Sequence, residues 1–177
     1  MKLVILDRDG VINFDSAEFI KNPEEWRPIP GSLEAIARLT QAGYHVVVAT
    51  NQSGVGRGLL DMATLSAIHD KMHKALAQAG GRIDAVFYCP HAQEAGCNCR
   101  KPKPGLLEDI ARRFNVDLVG VPCIGDSPRD LQAAIQVEAQ PILVLTGKGQ
   151  NTKAAGGLPK GTRVYADLDE AVKSIVQ

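Results

Sequence analysis

The chain has 177 residues, a length that predicts a single domain, and 45% of them are hydrophobic, which is enough for a buried core. Lys plus Arg equal Asp plus Glu at 20 each, and only 5% of residues are aromatic, so composition argues against nucleic acid or an anionic membrane as a partner. The apolar runs are too short to span a membrane and no signal-like segment precedes the first strand, so we expect a cytoplasmic protein. We also expect a monomer.

The first ten residues carry the first chemical signal. Four aliphatic residues, Leu3 to Leu6, run directly into Asp7-Arg8-Asp9-Gly10. A continuous apolar run indicates a strand covered on both faces, and the carboxyl ends of such strands open onto the ligand crevice of parallel sheets. Two carboxylates this close favour a hard cation such as Mg²⁺. The alternative is a strand end followed by a solvated turn.

A second strand end is rich in hydrogen-bond donors. Residues 13–30 have no regular period and predict a long loop, and a helix capped by Ser32 then ends at Gly43. Tyr44 to Ala49 predicts the second strand. It leads into Thr50 to Gly58, whose hydroxyl, amide and glycine content predicts a phosphate-binding loop, with a flexible connector as the alternative.

The next helix begins after Asp61 and ends at Gly80. Its apolar residues recur at helical spacing and predict the buried face. His69 and His73 lie four residues apart on this helix, and we expect both at the surface because no acidic partner pattern of the zinc-protease kind accompanies them. Ile83 to Tyr88 predicts the third strand.

A cluster of cysteine and histidine follows the third strand. Cys89, His91, Cys97 and Cys99 supply three thiolates and one imidazole within eleven positions, a complete tetrahedral set for structural Zn²⁺. Free thiols or a disulfide are the alternatives. The expected role of the zinc is to fix the conformation of this loop, whereas Cys123 lies in an apolar run and predicts a buried thiol.

Cationic and acidic turns complete the signals. Arg100 to Gly105 forms a proline-stiffened basic turn whose lysine and arginine could bind anions, or which is simply solvated. The fourth strand, residues 118–124, ends at Gly125-Asp126, which adds a third carboxylate. Further elements are expected as a helix over 128–137, a strand over 141–145, a mobile loop over 147–161, a strand over 163–166 and a helix over 168–176. This alternation predicts an α/β fold with a doubly wound parallel sheet.

The ordered motifs resemble the haloacid dehalogenase superfamily of aspartate-nucleophile phosphatases over nearly the whole chain. Asp7 to Asn13, Thr50 to Gly54, the zinc cluster, Arg100-Lys101-Pro102 and Gly125-Asp126 are similar to its heptose 1,7-bisphosphate 7-phosphatase and histidinol-phosphatase branch. The resemblance implies one phosphatase domain over 1–177. It also implies a capless fold, because the intervals where relatives insert a cap are filled by other elements.

The resemblance further implies the role of each residue. Asp7 is the expected nucleophile that forms an aspartyl-phosphate, and Asp9 the expected acid and base. Thr50 and Lys101 are expected to stabilise the transferring phosphoryl group. Catalytic Mg²⁺ is expected on Asp7, Asp126 and the backbone carbonyl of Asp9. The residues expected to contact the substrate are Asp15, Asn51, Gln52, Ser53 and Arg100.

The implied substrate is a small phosphorylated sugar, D-glycero-D-manno-heptose 1,7-bisphosphate, hydrolysed at its 7-phosphate in heptose precursor synthesis for lipopolysaccharide. The segment after Asp15 lacks a Gly-Tyr pair expected in many heptose enzymes, so histidinol phosphate is an alternative, with Glu18 and Glu94 as possible partners of its amine and imidazole. A non-catalytic module phosphorylated on Asp7 is an alternative of another class, and Asp9 argues against it because turnover needs an acid and base. A zinc-stabilised nucleic-acid module is a third.

Overall fold

Six parallel strands form one sheet in the computed structural model, which describes residues 1–177. In chain order they are β1 Leu3–Leu6, β2 His45–Asn51, β3 Ala85–Cys89, β4 Pro122–Gly125, β5 Gln140–Val144 and β6 Arg163–Tyr165. Their spatial order is β3-β2-β1-β4-β5-β6, and every neighbouring pair is parallel. The chain therefore builds outward from β1 in one direction and then returns to build from β1 in the other.

Helices cover both faces of this sheet. They are α1 Ser32–Gln41, α2 Ser53–Gly56, α3 Met62–Ala79, α4 Gly105–Phe114, α5 Pro128–Gln136, α6 Gly149–Ala155 and α7 Leu168–Ile175. The apolar sides of α1, α3 and α7 join one buried cluster with the strands, and those of α4 and α5 join a second cluster on the opposite face. The predicted doubly wound parallel fold is confirmed.

The central strand shows why the apolar run is continuous. Val4 and Leu6 belong to one core cluster, and Leu3 and Ile5 belong to the other. Successive side chains of a strand point to opposite faces of the sheet, so a strand covered by helices on both sides needs apolar residues at every position. All four side chains are buried.

No cap domain interrupts the fold. The interval between β1 and α1 holds a loop with one 3₁₀ turn, Pro23–Glu25. The interval between β2 and α4 holds α2, α3, β3 and a second 3₁₀ turn, Gln93–Ala95. Helix α3 packs on the sheet, and β3 is one of its strands. None of the helices is both long and apolar enough to cross a membrane.

Three sequence predictions about elements were wrong. The interval 147–161, expected as a loop, contains α6. Strand β4 begins only at Pro122, because the preceding residues form a turn. Ser32 is the first residue of α1 and does not cap it, since its hydroxyl donates instead to the carbonyl of Val11 at 2.8 Å.

Candidate active site

The predicted site residues meet at the carboxyl ends of β1, β2 and β4. This is the place where the strand order reverses, and open α/β sheets bind ligands there. A polar cleft of about 240 Å³ lies at this edge. Every residue predicted to bind Mg²⁺ or substrate or to act in catalysis lines it, namely Asp7, Asp9, Asp15, Thr50, Asn51, Gln52, Ser53, Arg100, Lys101 and Asp126.

Lys101 forms the buried centre of this cleft. Its Nζ lies 3.2 Å from Asp7 Oδ1 and 2.6 Å from Asp130 Oδ1, and it donates to the carbonyl of Ala49 at 2.7 Å. Burial opposes the charged form of this amine, but the carboxylates of Asp130 and Asp7 outweigh burial and raise the pKa of Lys101. Lys101 is therefore a fixed cation facing Asp7.

The backbone around Lys101 is held from β2. The Asn51 side chain accepts from the amide N–H of Lys101 at 3.0 Å and donates to its carbonyl at 3.1 Å. Asp130 is fixed in turn, because its Oδ2 accepts from the backbone N–H of Asp126 and from both the N–H and the hydroxyl of Ser127. The cation thus lies between two anchored segments.

Asp9 is held by a different set of partners. Its Oδ1 accepts from Arg8 Nε at 2.8 Å and from Asn13 Nδ2 at 3.0 Å, and its Oδ2 accepts from Gln52 Nε2 at 3.1 Å. Gln52 Nε2 also donates to Thr50 Oγ1 at 2.9 Å. Burial opposes ionisation of Asp9, but the charge of Arg8 outweighs it and lowers the pKa of Asp9.

Asp7 and Asp126 offer carboxylate oxygens that fit Mg²⁺, whereas both oxygens of Asp130 already accept from Lys101, Ser127 and the backbone of Asp126. Asp7, Asp126 and Asp130 have oxygens within 4.8 Å of one another. Burial, followed by the charge of Asp130, raises the pKa of Asp126 to about 7, and the same two causes raise the pKa of Asp7. Acidic oxygens that resist ionisation together are stabilised by a hard cation.

Room for this carboxylate set depends on a glycine. Gly10 adopts φ of +83°, and a Cβ at this position would clash with the Asp126 carboxylate. The Asp126 carboxylate also accepts from the backbone N–H of Lys148 at 2.9 Å. The Asp9 side chain turns away towards Arg8, which leaves its backbone carbonyl as the predicted metal ligand from this residue.

The rim of the cleft comes from loops. Asp15, in the long loop after β1, pairs with the exposed Lys148 Nζ at 3.5 Å and so bridges to the start of α6. Ser53 begins the short helix α2 and is buried.

Three arginines line one side of the cleft without a carboxylate partner: Arg57, Arg100 and Arg129. The Nη1 atom of Arg100 is buried and has no hydrogen-bond partner. Burial, and then the charges of Arg129 and Arg57, lower the pKa of Arg100. Guanidinium groups gathered in this way are suited to an anion that supplies the missing acceptors.

The cysteine and histidine cluster is formed by the last residue of β3 and by the loop between β3 and α4. The donor atoms of Cys89, His91, Cys97 and Cys99 are within 4.8 Å of one another, and all four cysteines of the chain are free of disulfides. Burial raises the pKa of Cys89 and Cys99, and the neighbouring sulfur atoms raise that of Cys99 further. The donor type and the crowding fit a tetrahedral zinc ion.

Two family models match the chain. The model described as polynucleotide kinase 3 phosphatase matches residues 2–126, and the one described as HAD-hydrolase-like matches residues 98–171. A D-glycero-beta-D-manno-heptose-1,7-bisphosphate 7-phosphatase from Bordetella bronchiseptica is 63% identical, and the alignment covers 100% of this chain and 99% of that protein. The chain belongs to the haloacid dehalogenase superfamily, in its heptose bisphosphate phosphatase family. A member of that family from Pseudomonas putida is 51% identical over 99% of this chain and 100% of its own length.

Solved structures of the family agree with this fold. The crystal structure of the B. bronchiseptica enzyme complexed with magnesium and phosphate has a TM-score of 0.99 at 63% identity and covers 100% of this chain and 99% of that chain. The enzyme from Burkholderia thailandensis has a TM-score of 0.81 at 54% identity, with the same coverage.

Sequence reasoning missed several cleft residues of this family member. Arg57, Arg129 and Lys148 also line the cleft, although none was predicted as a site residue. Arg57 lies in the loop predicted to bind phosphate, Arg129 in the predicted helix over 128–137 and Lys148 in the predicted loop over 147–161. The expectation for His69 was wrong, because the residue is only 8% exposed and its Nε2 atom lies 3.1 Å from Arg8 Nη1. A signal existed for His69, since it lies four residues after Leu65 and three before Met72 on the buried face of α3.

Proposed function

We propose that this chain is a Mg²⁺-dependent phosphatase that removes the 7-phosphate of D-glycero-β-D-manno-heptose 1,7-bisphosphate. It would act as a monomer and a single domain over 1–177, in heptose precursor synthesis for lipopolysaccharide. The observation that carries the proposal is Asp7 facing Lys101, with Asp9 in the same arginine-lined cleft, in a chain 63% identical over its whole length to an enzyme of that name.

Asp7 is the proposed nucleophile. One of its carboxylate oxygens forms a bond to phosphorus as the bond from phosphorus to the sugar oxygen breaks, which gives an aspartyl-phosphate. Lys101, at 3.2 Å from Asp7, offsets the negative charge brought together in this step, and Thr50, at the end of β2, offers its hydroxyl to the phosphoryl group.

Asp9 is the proposed proton carrier. Its carboxylate, ionised in the resting site, takes up a proton as the substrate binds and gives it to the departing sugar oxygen. It later takes a proton from the water that attacks the phosphorus of the aspartyl-phosphate and releases that proton to solvent. The products are then the sugar monophosphate, inorganic phosphate and free Asp7. A non-catalytic acceptor module would not need this second carboxylate in the same cleft.

Asp7, Asp126 and the backbone carbonyl of Asp9 would hold Mg²⁺. When bound, this ion screens the repulsion between the phosphate and the Asp7 carboxylate and orients the phosphate. Zn²⁺ on the four cysteine and histidine ligands would be structural, because all four tetrahedral positions are filled by protein.

The charge of the cleft favours the bisphosphate over histidinol phosphate. Arg57, Arg100 and Arg129 would bind the second phosphate, with Asp15, Asn51, Gln52 and Ser53 close to the sugar. Histidinol phosphate carries an amine and an imidazole and would need acidic partners at this position. Glu18 and Glu94, the acidic residues that could serve, are exposed and do not line the cleft.

Phosphate release in Mg²⁺ tests the proposal. We expect kcat/KM for the heptose bisphosphate to exceed that for histidinol phosphate by at least about a hundredfold, equal to about 2.7 kcal/mol of transition-state binding. The variant Arg100→Gln should lose most of this preference while retaining turnover of simple aryl phosphates. A preference for histidinol phosphate would overturn the substrate, and no release from any phosphate ester would overturn the activity.

A further inference from the structure

A buried arginine lies directly behind Asp9. The Arg8 side chain has no solvent exposure, although it sits between two acidic residues of the cleft. Its guanidinium contacts Asp9 through Nε, Gln52 through Nη2 and His69 through Nη1. Asp9 is the only charged partner among these three, so the other two donors depend on neutral acceptors.

His69 is one of these acceptors. A guanidinium has donors and no acceptor, so at 3.1 Å the Nε2 atom of His69 must accept from Arg8, and the ring proton must lie on Nδ1. Burial, and then the charge of Arg8, lower the pKa of His69 to about 3, which keeps the ring neutral. The elements are distant in sequence, since His69 comes from α3 and Arg8 follows β1.

The hydrogen bonds close a ring around the Asp9 carboxylate. Arg8 Nε donates to Asp9 Oδ1 at 2.8 Å and Arg8 Nη2 donates to Gln52 Oε1 at 3.2 Å. Gln52 Nε2 then donates to Asp9 Oδ2 at 3.1 Å. Each oxygen of Asp9 is therefore held by a group whose position depends on the plane of the Arg8 guanidinium, and Asn13 Nδ2 is a further donor to Oδ1.

We infer that His69 is a positioning residue for proton transfer by Asp9, acting through Arg8 and Gln52. The inference rests on the proposed function, in which Asp9 carries the proton. His69 accepts from Nη1 and so fixes the orientation of the guanidinium, in which Nε faces Asp9 and Nη2 faces Gln52. Without an acceptor at this position, a buried N–H group is left unpaired, and the guanidinium shifts to find another partner.

The effect of such a shift depends on the leaving group. A sugar alkoxide is a poor leaving group and needs a proton from Asp9 as it departs, whereas p-nitrophenolate departs without one. A change that displaces Asp9 alone therefore slows the transfer from the sugar phosphate more than the transfer from p-nitrophenyl phosphate. A general loss of structure slows both transfers equally.

The experiment compares His69→Leu, which removes the acceptor, with His69→Gln, which keeps an acceptor oxygen. His73→Leu is the matched control, because His73 is exposed one turn further along α3. We expect His69→Leu to lower kcat/KM for the heptose bisphosphate by at least about tenfold and that for p-nitrophenyl phosphate by less than about threefold. The other two variants should stay within about threefold of the wild type on both substrates.

Equal losses on both substrates in His69→Leu, or no loss on either, would overturn the inference. Asp9→Asn, measured in parallel, tests the role of Asp9 separately from the role of His69. If Asp9→Asn also lowers kcat/KM equally on both substrates, the proposed role of Asp9 itself fails. If the leucine variant does not fold, His69→Met replaces it, since a flexible thioether fills irregular core space and accepts hydrogen bonds only weakly. The changes in kcat/KM for the heptose bisphosphate and for p-nitrophenyl phosphate then decide the outcome in the same way.

Discussion

At the residue scale, the site depends on charges held out of water. Asp7, Lys101 and Asp130 form a line of alternating charges in which each carboxylate lies within 3.2 Å of the amine. The sequence predicted Asp7 at the sheet edge because a polar residue directly after a buried apolar run must lie there, and it predicted Lys101 in a basic turn after the zinc cluster. The distances between them come from the fold, since the contact between Lys101 and Asp130 joins residues 29 positions apart.

Removal of the central cation should damage both stability and catalysis. Lys101→Met leaves Asp7 and Asp130 without a counter-charge, and breaking a buried ion pair costs about 3–5 kcal/mol. We expect urea unfolding in metal-free buffer to show a loss of this order, and turnover to fall by at least about a hundredfold. Lys160→Met is the control because Lys160 is exposed. A stable and active Lys101→Met protein would contradict this account of the centre.

The neutral state of His69 predicts a dependence of stability on pH. Its pKa is lowered to about 3 in the folded chain, whereas an unfolded chain binds the proton near pH 6.5, so acid favours the unfolded state between these values. The wild type should lose about 1.4 kcal/mol of unfolding free energy per pH unit below about pH 6.5 beyond the loss in His69→Gln. His73→Gln should keep the wild-type slope in urea titrations at pH 7 and pH 5. Equal slopes in the wild type and His69→Gln would show that His69 titrates normally.

At the element scale, the spacing of apolar residues along the chain explains which strands and helices the sequence could predict. Strand β1 and helix α3 could be predicted from the sequence. Burial requires an unbroken run of apolar residues in β1 and apolar residues spaced about 3.6 positions apart in α3. Helix α6 was missed because it has almost no apolar side. It is held instead by Thr152, whose buried hydroxyl lies 2.7 Å from the carbonyl of Asp126 and 3.0 Å from that of Lys148.

The contact between α6 and Asp126 should affect metal binding. Thr152→Val keeps the shape of the side chain but removes the hydroxyl that supports the Asp126 backbone, and loss of such outer contacts weakens metal sites by about tenfold or more. We expect a matching rise in the Mg²⁺ concentration needed for half-maximal phosphatase activity. Thr152→Ser retains the hydroxyl and should resemble the wild type. An unchanged Mg²⁺ requirement in Thr152→Val would mean that α6 does not support the site.

The loop between β3 and α4 should depend on zinc for its order. Cys99→Ala removes one of four ligands, and we expect it to lose zinc and to lower the thermal midpoint by at least about 5 °C, which corresponds to about 2 kcal/mol in a chain of this size. Cys123→Ala should retain zinc, because Cys123 lies in β4 outside the cluster. Metal analysis by mass spectrometry checks both variants. Wild-type protein prepared without chelators and found free of zinc would refute the cluster.

At the scale of the whole molecule, the topology assembles a site from distant segments. The reversal of strand order at β1 brings the ends of β2 and β4 to either side of Asp7, and Lys101 enters from the loop before α4. Alternating strands and helices were sufficient to predict this arrangement, since crossovers between parallel strands are short and of one hand. The arginines that line the cleft differ in this respect: Arg100 was expected to contact the substrate, whereas Arg57 and Arg129 were not predicted, because periodicity does not show which side chains of a turn or a helix start reach the cleft.

A covalent intermediate on Asp7 tests the central claim most directly. Asp9→Asn mixed with p-nitrophenyl phosphate should release p-nitrophenolate without needing a proton, but it should hydrolyse the aspartyl-phosphate slowly because the base is missing. We therefore expect a rapid burst of nitrophenolate equal to the enzyme concentration, with one phosphoryl group located on Asp7 by peptide mass spectrometry after acid quench. The variant with both Asp7→Asn and Asp9→Asn should show no burst. A phosphoryl group on another residue, or nitrophenolate and phosphate released together without a burst, would contradict the account.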